Sequence, residues 1–146
     1  MALAQEGVDV AICARGMEDL EAAAAEIRAA TGRKVLAVQA DMGNPDDIKN
    51  LVATTVAELG GVDILVNNAV NSKAAPFMDL ADEDWLNHIN VKVMGYVRCS
   101  REVIPHMPVS HAHLRAHETL RYTVCGLLLE KNKPAILTVL SHRRLF

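Results

Sequence analysis

Up to about residue 107, short β-branched apolar runs alternate with longer stretches of helical spacing. The run VDVAICA at 8–14 is closed by Arg15-Gly16 and has the continuous apolar character of a strand buried on both faces. Residues 17–32, MEDLEAAAAEIRAATG, place Leu20, Ala24 and Ile27 at helical spacing, and Gly32 is positioned to end that helix in the left-handed conformation. KVLAVQA at 34–40 predicts a second strand. In 43–61 the positions Ile48, Leu51, Val52, Thr55, Val56 and Leu59 recur at i, i+3, i+4, i+7, i+8 and i+11, the stripe of an amphipathic helix. Asn44 suits its cap, Pro45 its first position, Asp46 and Asp47 its positive end, and Gly60-Gly61 its stop. VDILV then predicts a third strand, which halts on Asn67-Asn68. Strands and helices in this alternation imply βαβ units: an α/β architecture with a parallel sheet covered on both faces.

One spacing adds chemistry to the pattern. Arg15, Asp41 and Asn67 each follow a strand and lie at equal intervals of 26 residues. Equal steps in a βαβαβ run put the three side chains at equivalent points, the carboxyl ends of the strands, where open α/β sheets bind ligands. Polar turn residues also end strands with no ligand, so the residue types must discriminate. Arg15 offers a bidentate cationic fork for a phosphate. Asp41 accepts from an amino group such as that of adenine, and Asn67 and Asn68 both donate and accept. A cation, an acceptor and amides along one crevice suit a nucleotide that carries an extra phosphate.

The segment 82–106 predicts a further helix, with Trp85, Ile89, Val93, Tyr96 or Val97, and Ile104 at helical spacing. Asn90 lies one turn from Leu86, Val93 and Met94, so its amide points towards an otherwise apolar face and needs partners there. Backbone or buried water can supply them without any catalytic role.

Composition bounds the rest. Apolar residues make up 51% of the 146, enough for a packed core, and no run approaches the ~18 apolar residues of a membrane span. The first ten residues lack the basic and apolar regions of a signal peptide. Cys13, Cys99 and Cys125 are scattered, as expected of thiols in a reducing compartment, so a cytoplasmic location is expected. Aromatics at 3% argue against a base-stacking nucleic-acid surface. The net charge of −3 is uneven: residues 108–146 carry six Lys/Arg, two Asp/Glu and four of the six histidines. This divides the chain into 1–107 and a basic, His-rich tail, 108–146. His113 and His117 at i, i+4 are a zinc-like pair beside His111, but no Cys, Asp or Glu has matching spacing, and no metal is expected.

At these residues the sequence resembles the short-chain dehydrogenases/reductases, from Ala2 to about Met107. The resemblance rests on CAR at 13–15, Asp41-Met42, NNAV at 67–70 (similar to the family's N-N-A-G, with Val70 for Gly) and INVKVMG at 89–95 (similar to its N-V-x-x-x-G helix motif). It implies a Rossmann-like, doubly wound parallel sheet and NADP(H)-dependent hydride exchange with a small carbonyl or alcohol substrate. By resemblance Arg15 contacts the cofactor's 2′-phosphate, Asp41 and Met42 flank the adenine, and Asn67 and Ala69 line the cofactor. Asn90 matches the family's catalytic asparagine. The 82–106 helix is the family's frequent oligomer surface, so a homo- or hetero-oligomer is expected; no nucleic-acid or membrane partner is.

The departures matter equally. The sequence holds no T-G-x-x-x-G-x-G and no Y-x-x-x-K: Tyr96 has Ser100 at +4, and Tyr122 has Gly126. The expected fold is therefore a partial Rossmann-like sheet lacking its first strand and glycine-rich turn, with 8–14 and 62–67 flanking a vacant central position. The chain as given is expected to be a truncated fragment or variant that does not catalyse the family reaction. Its alternatives are a non-catalytic nucleotide-binding or oligomerisation module and a non-functional product. AILTVLS at 135–141 reads as a strand ending in Ser141, beyond a tail that resembles a frameshifted or alternatively spliced end. The vacant central position is one place for it.

Overall fold

The computed structural model describes residues 1–71 and 73–107 together with the backbone of residues 135–139. Its elements, in chain order, are α1 (Ala2–Gln5), β1 (Asp9–Ala14), α2 (Met17–Thr31), β2 (Val35–Gln39), α3 (Pro45–Leu59) and β3 (Ile64–Asn67). After them come α4 (Asp82–Ile89), a π-turn (Asn90–Met94), α5 (Gly95–Val103) and β4 (Ala135–Val139). Short 3-10 turns at Phe77–Asp79 and Ile104–His106 bracket the long helical segment.

The caps form as the sequence predicts. The Asn44 side chain accepts from the Asp46 N–H at 3.0 Å with Pro45 opening α3. Gly32 and Gly60 end α2 and α3 at φ 65° and 87°, a region where a Cβ is strained. One stabilising contact goes beyond the sequence pattern. Arg28, in the last turn of α2, donates from Nε and Nη2 to the Val35 carbonyl at 3.0 and 2.7 Å, tying the helix to the start of β2.

The sheet is wholly parallel, in the order β2-β1-β4-β3. Residues 135–139 therefore fill the central position between the first and third strands. Ile12 pairs with Thr138 on one side and Val66 with the same Thr138 on the other. Both faces are covered. Val10, Ile12 and Val35 pack with Ala4, Leu20 and Ala24 of α1 and α2. Ala11, Cys13 and Val38 turn to the opposite face, against Ile48, Leu51 and Val52 of α3 and Val91, Cys99 and Val103 of the long helix. Ile48 and Leu51 are fully buried, which stabilises by about 1.5–3 kcal/mol for each side chain.

The long helix corrects an expectation. Its inward face is Val91, Gly95, Cys99 and Val103, whereas Trp85, Ile89, Val93, Val97 and Ile104 lie 42–51% exposed. The physical reason is close approach. A Cβ on Gly95 would lie 2.9 Å from the Met42 carbonyl oxygen, so the helix approaches the loop after β2 closely only with glycine at that point. The larger apolar side chains turn outward. Asn90 accordingly does not point into an apolar face; its amide meets the Gly43 carbonyl and Arg98.

Because β4 is hydrogen-bonded on both sides, a proline there must remove a ladder bond. Thr138→Pro is expected to lower stability by about 1–3 kcal/mol, the cost of leaving a buried ladder partner unsatisfied, read as a fall in the midpoint of thermal unfolding by circular dichroism. An unchanged midpoint would contradict the central placement of this strand.

Candidate functional site

The carboxyl ends of β1, β2 and β3 meet along one edge of the sheet. There a cavity of about 30 Å³ is lined by Arg15, Asp41, Met42 and Ala69, together with Cys13, Ala14, Ala40, Val70, Asn71 and Val91. Beside it lies an open depression of about 290 Å³ lined by Arg15, Gln39, Ala40, Asp41 and Asp47. Four of the sequence-predicted residues are thus brought together. Asn67 and Asn90 line neither space.

Each wall has its own support. The Gln39 side chain donates to the Arg15 carbonyl at 2.8 Å, fixing the backbone after β1. The Arg15 side chain is exposed, and among the described residues its guanidinium forms no hydrogen bond or ion pair. Asp41 is held from both sides: its Oδ1 accepts from the Gly43 N–H at 2.8 Å, and its own N–H donates to Asp47 Oδ2 at 2.9 Å. Asp47 comes from the first turn of α3, so the helix cap and the Asp41 loop form one hydrogen-bonded unit. The Met42 side chain is buried, with its Sδ 3.6 Å from Cys99 Sγ beneath the helix.

The third wall is pinned from the long helix. The Tyr96 hydroxyl donates to the Ala69 carbonyl at 3.0 Å, and His88 Nδ1 lies 2.6 Å from the Asn71 carbonyl. Asn67 Nδ2 is 3.5 Å from Ser100 Oγ, and its buried Oδ1 has no partner among the described residues. Lys73 pairs with Asp84 at 2.9 Å, and this bond, with the Ala81 N–H, lowers the Asp84 carboxyl below its ordinary value. Tyr96, Arg98 and Asp47 are supports that the sequence pattern does not reveal. Their partners, the Ala69 and Gly43 carbonyls, the Asp41 N–H and the Asn90 amide, leave no trace in side-chain periodicity.

Among the described residues no three His, Cys, Asp or Glu side chains gather into a metal site. The His111, His113 and His117 group, Tyr122 and Ser141 lie outside those residues. No described helix is long and apolar enough to cross a membrane.

A wholly parallel sheet with helices on both faces and a crevice at the strand ends is a doubly wound α/β architecture, the kind that binds ligands at that edge. The family model for short chain dehydrogenase matches residues 1–113. The 3-oxoacyl-[acyl-carrier-protein] reductase of Staphylococcus epidermidis is 33% identical over 105 residues, 72% of this chain and 43% of that protein. A putative ketoacyl reductase of Streptomyces coelicolor is 36% identical over 102 residues, 70% of this chain and 39% of that protein. Among solved structures, the L-sorbose reductase of Gluconobacter frateurii complexed with NADPH and L-sorbose superimposes with a TM-score of 0.67 at 35% identity. The match covers 71% of this chain and 40% of that one. A short-chain dehydrogenase of Burkholderia cenocepacia in complex with NADP gives 0.65 at 33% identity, covering 73% of this chain and 45% of that one. The chain belongs to the short-chain dehydrogenase family. It spans about two fifths of the length of these relatives.

The support beneath the site has a pH signature. Burial pushes the Cys99 thiol from 9.0 up to about 11 and raises Tyr96 above its ordinary 10.0. A raised folded-state value means the native chain keeps protons that the unfolded chain releases, so stability is intact below pH 9 and falls as pH rises towards 11. For Cys99 the loss is roughly 2–3 kcal/mol across that window. Chemical denaturation at stepped pH is expected to show this decline and to show less of it in Cys99→Ala, measured against that variant's own neutral stability.

Proposed function

We propose that this chain forms the nucleotide-binding part of an NADP(H)-dependent oxidoreductase that acts on a small carbonyl or alcohol substrate. The observation that carries the reading is the Arg15 guanidinium, unpaired among the described residues, at the rim of the 290 Å³ depression that also holds Asp41 and Asp47. In a depression with two carboxylates, a cation without a partner fits an anionic group more readily than a bare ribose. The 2′-phosphate of NADP(H) is such a group. Arg15 would hold that phosphate by its fork, Asp41 would accept from the adenine amino group, and Met42 and Ala69 would line the cavity beside it. Asn67 would order the turn at the inner end of the crevice. The cofactor supplies the hydride chemistry when bound.

Two of the structural relatives, complexed with NADPH and NADP, support the choice of cofactor. The names of the two reductases support a 3-oxoacyl thioester or a ketone as the substrate class. The sequence contains no Y-x-x-x-K, the pair in which a lysine lowers the pKa of a proton-donating tyrosine. This supports nucleotide binding without turnover as the activity of this chain. Titrating the purified chain with NADPH and NADH, followed by nicotinamide fluorescence, tests the reading. NADPH is expected to bind the more tightly. Arg15→Glu is expected to weaken it at least tenfold, the worth of one charge-assisted hydrogen-bond set, while leaving NADH little changed. Equal affinities for the two would count against the role of Arg15.

A second reading, an oligomerisation module, is favoured by the exposed stripe Trp85, Ile89, Val93 and Val97, which Leu86 and the neighbouring Phe77 and Met78 extend. Phe77 packs edge-on against Trp85 at 5.9 Å, which makes the patch continuous. The occupant that suits a long amphipathic helix is the same face of a second copy, in a two-fold interface. Light scattering is expected to give a dimer at micromolar concentration. Val93→Glu is expected to return the mass to about that of one chain without loss of helicity.

A further inference from the structure

We propose that Arg98 is a positioning residue: through the Asn90 amide it latches the loop after β2 to the π-turn of the long helix. Arg98 Nη1 donates to Asn90 Oδ1 at 2.8 Å and, more weakly, to the Gly43 carbonyl at 3.4 Å. Asn90 Nδ2 donates to that same carbonyl at 3.1 Å. A guanidinium only donates, so it dictates which end of the amide faces it: Oδ1 to Arg98 and Nδ2 to Gly43. Arg98 makes no ion pair among the described residues, so its charge serves neutral acceptors.

The helix geometry makes this triangle possible. Eight α-helical steps from Asn90 to Arg98 would leave the two side chains roughly 80° apart around the axis. The wider π-turn at Asn90–Met94, where the Gly95 N–H reaches back to the Asn90 carbonyl, takes up that offset. The loop is built to be gripped. A Cβ on Gly43 would lie 3.0 Å from Asn90 Nδ2 and 3.2 Å from Asp41 Oδ1, so the latch closes on bare backbone. Gly43 in turn donates to Asp41 Oδ1, and the Asn44 N–H donates to the Asp41 carbonyl at 2.9 Å. Fixing the Gly43 carbonyl therefore fixes the carboxylate at the mouth of the depression. The Asn90 amide is committed to this loop, and its role here is positional. The latch stands on these contacts alone; its effect on cofactor affinity rests on the nucleotide-binding reading above.

Hydrogen–deuterium exchange over residues 40–47 of the full chain tests the latch without any ligand. Arg98→Met is expected to speed exchange at the Gly43 and Asn44 amides about tenfold, the worth of one hydrogen bond to a charged group, with α2 unchanged. Arg98→Lys, a single cationic donor within reach of Asn90 Oδ1, is expected to restore most of the protection. Unchanged exchange in Arg98→Met, or an equal rise throughout α2, would overturn the latch. NADPH titration of the same variants is expected to show weaker binding by Arg98→Met and recovery by Arg98→Lys. Faster loop exchange with unaltered affinity would overturn the functional half of the proposal. A wild-type chain that shows the exchange pattern but binds no NADPH would sink the nucleotide reading and leave the latch standing.

Discussion

The pairing of β4 with β1 on one side and β3 on the other is the constraint on which everything else depends. A parallel sheet covered on both faces has no water to satisfy an unpaired edge, so each buried backbone group must find a strand partner. Among the described residues β3 has no strand neighbour except β4. Without residues 135–139 the sheet would part into the β1–β2 pair and a lone four-residue strand, and the inner edge of β1 would lose its ladder. The site depends on the same pairing. Arg15 and Asp41 follow adjacent strands, but Ala69, Val70 and Asn71, just past β3, reach their crevice only because β4 holds β3 one strand away from β1 in fixed register.

Much of this architecture is legible in the sequence because local physics fixes it. Three apolar runs bounded by turn residues become β1, β2 and β3, and Asn44 caps through its side-chain oxygen, Gly32 and Gly60 through the left-handed backbone that a missing Cβ allows. The equal spacing of Arg15, Asp41 and Asn67 correctly marks one edge of the sheet. What sequence does not decide is where a strand sits. AILTV has the composition of a buried strand, but nothing local separates the centre from an edge, and the vacancy between β1 and β3 shows only through family resemblance. The long helix fails for a different reason. Periodicity finds the stripe of large apolar residues, whereas the structure buries the face of Val91, Gly95, Cys99 and Val103. The deciding quantity is the distance from Gly95 to the Met42 carbonyl, a tertiary fact.

Within the site the same distinction separates residues that are held from residues that are free. Asp41 is fixed before any ligand arrives by Gly43, Asp47 and, through Gly43, the Asn90–Arg98 pair. Among the described residues Arg15 is anchored only through its backbone carbonyl, and its exposed side chain has no partner there. Ordering such a side chain costs about 0.5–1.5 kcal/mol on binding, and a bidentate contact to phosphate has to exceed that before it contributes to affinity. A ligand without the phosphate would leave Arg15 disordered and lose little, while still meeting the preorganised Asp41 loop. The geometry therefore divides the work. On the proposed reading, the hydrogen-bonded loop, braced from the long helix, would supply general affinity for an adenine nucleotide, and the exposed cation would supply discrimination for the extra phosphate. The bracing side chains, Asp47, Asn90 and Arg98, are half-buried and come from α3 and the long helix, whereas the discriminating one would be a single exposed arginine at a strand end.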